Sequence, residues 1–110
     1  MATKRIVEQF DVIAIAGVET LVLAFVSSAE EKRTIKRISI INATANVDFV
    51  LYVQRERRIN IPDNTPQLVL LWLDIDIPFG VGERCDIGFV NGTGGNITIP
   101  VILEEEIEYT

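Results

Sequence analysis

A chain of 110 residues, 48% hydrophobic and 24% charged, is long enough for one domain with a real core, burying roughly 65% of its unfolded surface. The net charge of −6 argues against nucleic acid, whose phosphates need concentrated Lys and Arg, and the absence of His excludes Ser-His-Asp and Cys-His catalytic sets. Mean hydropathy is +0.29, so the surplus of apolar surface favours burial between subunits of a homo-oligomer.

In chain order, Ile6 to Ile15 is rich in β-branched and aromatic residues and reads as the first strand, broken at Gly17. Thr20 to Val26 is a second strand, with Leu21, Leu23 and Phe25 on one face and Val22, Ala24 and Val26 on the other. A third, Arg33 to Asn42, sets Ile38 and Ile40 against a wetter face of Arg37 and Ser39. Val47, Phe49, Leu51 and Val53 alternate with Asp48, Val50, Tyr52 and Gln54 as a half-buried strand, which the Arg55-Glu56-Arg57-Arg58 run is expected to end.

Leu68-Val69-Leu70-Leu71-Trp72-Leu73 puts apolar side chains on both faces, so it predicts a central strand covered by the core on one side and by a second layer or another subunit on the other. Pro78-Phe79-Gly80-Val81-Gly82 breaks the following alternation, and Glu83 to Val90 is a strand with Cys85, Ile87 and Phe89 inward. Asn91 to Asn96 is a glycine-rich hairpin tip. The last strand, Ile97 to Tyr109, has Ile97, Ile99, Val101, Leu103, Ile107 and Tyr109 on one face, with Pro100 marking an edge or a bulge. Seven or eight strands without an amphipathic helix predict a single all-β domain, an antiparallel β-sandwich of jelly-roll type.

Candidate chemistry is sparse. Glu104, Glu105, Glu106 and Glu108, joined by Asp74 and Asp76, would be a calcium site only with loop spacing that is missing, so a solvated edge face is the better reading. Asp74, Asp76, Glu83 and Asp86 offer carboxylate pairs for glycoside hydrolysis, but an acidic chain produces such pairs by chance. Gly92-Thr93-Gly94-Gly95 lacks the Gly-Lys-Ser/Thr ending of a phosphate loop. The lone Cys85 reads as a buried thiol, and the sequons at Asn42, Asn91 and Asn96 lack the secretory leader that would give them meaning. Nothing calls for a cofactor, a metal or a membrane anchor. The basic groups Lys32, Arg33, Lys36 and Arg37, and Arg55, Arg57 and Arg58, are surface charges that could also meet the acidic tail of a neighbouring copy.

Val81-Gly82-Glu83-Arg84-Cys85-Asp86-Ile87-Gly88-Phe89-Val90-Asn91-Gly92-Thr93-Gly94, running into Ile97 to Glu104, resembles the closing hairpin of small jelly-roll proteins of viral particles, namely capsid, decoration and spike-base subunits. The resemblance covers residues 81–106 and implies a non-enzymatic subunit of a virion that works by self-association, with other particle proteins as further partners. Without it the expected location is cytoplasmic. The expected oligomer contacts are Val50, Tyr52, Leu70, Leu71 and Trp72. The rival expectation is a carbohydrate- or ligand-binding sandwich whose loop presents Phe79, Asn91, Thr93 and Asn96.

Overall fold

A computed structural model describes residues 2–40, 46–61 and 72–109. Eight strands carry these residues: β1 Ala2–Ala14, β2 Glu19–Val26, β3 Glu31–Ile40, β4 Val47–Val53, β5 Glu56–Ile61, β6 Trp72–Pro78, β7 Arg84–Asn91 and β8 Ile97–Tyr109. They form two four-stranded sheets in the orders β1-β8-β3-β6 and β2-β7-β4-β5, and every pairing is antiparallel. First pairs with last, second with seventh, third with sixth and fourth with fifth. A long ribbon rolled up in this way is the jelly roll expected from the strand count.

The core lies between the sheets. Alternation places Val47, Phe49, Leu51 and Val53 of β4 inward beside Cys85, Ile87 and Phe89 of β7, and Ile99, Val101 and Leu103 of β8 face them from the other sheet. Phe49 and Phe89 stand directly opposite in the ladder and pack edge to face, their centroids 5.5 Å apart.

Two bulges reassign faces that simple alternation gets wrong. In β2 the register slips between Leu23 and Phe25, so Phe25 turns inward with Val22 and Ala24, while Leu21, Leu23 and Val26 remain outside. In β3 the slip between Ile35 and Arg37 lets both Ile35 and Ile38 enter the core.

Other expectations need correction. The basic run ends β4 but also starts a further strand, β5, because Gln54 and Arg55 both take positive φ (50° and 69°) and close a two-residue hairpin between Val53 and Glu56. β8 is no edge strand. It runs between β1 and β3, and its described ladder with β3 ends at Ile40↔Val101, one residue short of Pro100. The apolar stretch expected as a central strand appears as β6 only from Trp72, paired with β3 at the edge of its sheet, and Leu73 is 44% exposed. Leu68 to Leu71 lie outside the described residues.

Candidate functional site

The strand order places β1 and β2, each an edge strand of its sheet, together on one flank of the sandwich, and β5 and β6 on the other. The two flanks differ in chemistry. Exposed positions of β5 and β6 carry Glu56, Arg57, Arg58, Asp74 and Asp76, charges that keep an open sheet edge from pairing with another chain, beside the polar Asn60 and the exposed Leu73. On the opposite flank Val7, Ile13 and Ile15, then Val18 in the turn and Leu21, Leu23 and Val26 on β2, are all exposed. Among the described residues nine large hydrophobic side chains are exposed, and these are seven of them.

The β7–β8 turn holds that flank in shape. Asn91 is buried, and its Nδ2 donates to the carbonyls of Ala14 (3.0 Å) and Gly95 (2.9 Å) while its Oδ1 accepts from the Thr93 amide (2.8 Å). The Asn91 backbone is tied to the β1–β2 turn, accepting from Gly17 N at 2.8 Å and donating to Val18 O at 3.2 Å. Asn96 Oδ1 accepts from the Ala16 amide at 3.0 Å. Three residues expected to present a ligand loop therefore brace the turn of the apolar flank. Asn91→Ala removes the Nδ2 bond to the Ala14 carbonyl, leaves the Gly95 carbonyl to Thr93 Oγ1 at 2.9 Å, and is expected to lower stability by about 1–3 kcal/mol, read from urea unfolding. A change under about 0.5 kcal/mol would show that the bracket is idle.

Phe79, the expected exposed aromatic, is instead 3% exposed and packs edge to face against Phe25 at 4.7 Å. Its amide donates to Arg33 O and its carbonyl accepts from Ser27 Oγ, which draws the Pro-Gly loop down onto the core. Two expected contact residues, Val50 and Tyr52, lie on the outer face of β4. Val50 is fully buried on the outer face, opposite Gly88 on β7 and Asn60 on β5, and offers no surface to a partner. Tyr52 is half-buried under a strap in which its hydroxyl donates to Glu19 Oε2 (2.9 Å) and Arg57 donates to the same carboxylate (2.7 Å). Trp72 opens β6 opposite Ser39, and Leu70 and Leu71 lie outside the described residues.

The acidic strand meets basic partners within the chain. On the outer face Glu104 takes Arg5 at 2.8 Å and also Arg37, and Glu106 takes Arg5 at 3.3 Å. Burial pushes the Glu104 carboxyl up, but hydrogen bonds from Arg5 and Arg37 outweigh it and hold it below the usual range. Glu105 points inward, fully buried, with Arg33 Nη1 at 3.0 Å. Among the candidate hydrolytic acids, Asp76 pairs with Lys36 (2.9 Å), Asp86 takes both Arg84 nitrogens (2.8 and 2.9 Å), and Glu83 accepts from the Gly80 amide (2.6 Å). Among the described residues no group of three His, Cys, Asp or Glu is arranged to hold a metal. Cys85 is buried, and burial first, with Glu105 and Asp86 nearby, pushes its thiol up and keeps it neutral.

The fold thus defines the class of the chain, a jelly-roll β-sandwich with one apolar flank. Comparison with known proteins finds no matching family model and no matching curated sequence.

Proposed function

We propose that this chain is a non-enzymatic structural subunit that associates with copies of itself, as a capsid, decoration or spike-base component of a viral particle. One observation carries the reading: seven of the nine large aliphatic side chains exposed among the described residues lie on β1, β2 and the turn between them, on the outer faces of the two sheets, while β5 and β6 are guarded by charge. The jelly-roll order and the resemblance of residues 81–106 to viral closing hairpins support the particle context, where other particle proteins are further partners. The rival ligand-binding reading draws no support from Phe79, which lies in the core.

Light scattering after size exclusion, over a dilution series, tests this. Wild type is expected to form a closed oligomer. Leu23→Glu should weaken it at least tenfold, because an unpaired charge buried in an apolar contact costs about 2 kcal/mol or more. Leu73→Glu, on the guarded flank, should leave it intact. A monomer at every concentration would overturn the reading, and dissociation by Leu73→Glu alone would move the interface to β6.

A further inference from the structure

We propose that Glu8, Arg33 and Glu105 form a proton-held latch that fastens the N-terminal half of β1 to the sandwich and loosens it when that proton leaves. The geometry is a shared donor. Nη1 of Arg33 reaches Oε1 of Glu8 and Oε1 of Glu105, each at 3.0 Å, and Nη2 lies 3.8 Å from Glu31. Glu105 has no exposed surface, and its Oε2 has no hydrogen-bond partner among the described residues.

Charge counting shows why a proton belongs here. β1 supplies Glu8, with Lys4 exposed further along the same row, and β3 supplies Arg33 and Glu31. β2 contributes no charge, only the Phe25 ring 5.2 Å from the Arg33 guanidinium. β7 contributes the neutral Cys85, while Asp86 is held on the outer side by Arg84. One guanidinium thus faces three carboxylates. Burial, and then the hydrogen bond with Glu8, outweigh Arg33 and push the Glu105 carboxyl up to about 8.

The N-terminal half of β1 is the element that feels the loss. Ala2 to Arg5 are exposed and Ile6 and Glu8 only half-buried, so apolar packing holds this half weakly. Beyond its ladder with β8, its side-chain ties are Arg5 to Glu104 and Glu106, and Glu8 to Arg33. Ionised Glu105 sets a second negative charge against Glu8 on the same nitrogen. Val7, the most exposed aliphatic of the flank, sits on this half, so the latch also controls the assembly surface. That last consequence rests on the self-association reading; the latch does not.

The test is amide hydrogen exchange of the whole chain from pH 6 to pH 9, expressed as protection factors. Protection of Ile6 to Phe10 should fall at least tenfold relative to β4 and β7 in wild type and stay level in Glu105→Gln. Glu8→Gln, which removes the opposed charge from the other side, should also stay level and serves if the first variant fails to fold. Constant wild-type protection, or an equal fall in the folded variants, would overturn the latch. Light scattering on the same samples separates the two readings. A change of mass accompanying the loss of protection supports the coupling, and loss of protection at unchanged mass keeps the latch but overturns its control of association.

Discussion

Gly88→Ala is expected to abolish folding or to cost on the order of 4–5 kcal/mol, a large share of the 5–15 kcal/mol that holds a domain together. A Cβ built at Gly88 would lie 1.8 Å from the Thr20 carbonyl oxygen, 2.8 Å from its carbon and 2.9 Å from Leu21 Cα. All three atoms are backbone, so no side chain can swing aside. Gly88 stands opposite Leu21 on one side and Val50 on the other, and β2 leans over it just before the bulge that turns Phe25 inward. A methyl group here must push β2 off β7, opening the sheet and displacing the apolar flank with it. Gly94→Ala is the control, because nothing lies within 4 Å of its Cβ, and its urea midpoint should match wild type. Matching midpoints for both variants would mean that β2 does not cross β7 this closely.

Local pattern carried the reading of the strands that obey alternation. β4 and β7 have clean inward rows, and in β8 the row Leu103, Glu105, Ile107 already puts Glu105 inside, although the sequence offers no reason to bury it. The reason is Arg33, which lies 72 residues away along the chain. Long-range pairing also explains the misreading of β8 as a wet edge: its outward glutamates face arginines of β1 and β3, and no local signal announces them. The β2 bulge is hidden for a related reason. Leu23-Ala24-Phe25 is as good an alternating strand as its neighbours, and only pairing with Asp86 and Cys85 reveals the extra residue. Missing β5 was a matter of turn chemistry, since Gln54-Arg55 takes the left-handed conformation without the Asn or Gly that usually marks it. Phe79 looked exposed between Pro78 and Gly80, yet backbone bonds to Ser27 and Arg33 fold its loop inward.

The flank was legible as composition but not as location. Leu21, Leu23 and Val26 are apolar in any reading; that they face solvent follows from the bulge and from the edge position of β2. The apolar run at 68–73 is the stronger signal in the sequence because periodicity measures hydrophobicity without measuring what covers it.

The second large effect is a stability that falls as pH rises, which is unusual for an acidic chain. Glu104 and Glu105 are adjacent, point to opposite faces, and are shifted in opposite directions from the usual carboxylate range. Glu104, held low by Arg5 and Arg37, contributes stability that is present above about pH 4.5 and lost as acid drives the pH below its folded value. Glu105 holds its proton up to about pH 8 when folded but would lose it near 4.5 when unfolded. Between those values the folded state binds more protons than the unfolded, so the sign is negative: the contribution is complete below about 4.5 and is gone once pH passes about 8. Urea unfolding should therefore show wild type about 2–3 kcal/mol less stable near pH 8.5 than near pH 5.5. Stopping there keeps the contribution of the buried Cys85 thiol small, since its unfolded form is half-ionised only near pH 9. Glu105→Gln keeps the shape and the acceptor for Arg33 but carries no charge, so its stability should be nearly the same at both values and should exceed wild type at the higher one. A wild type that gains stability with pH, or a variant that loses as much as wild type, would show that the buried carboxyl is ionised throughout and that Arg33 alone suffices to hold it.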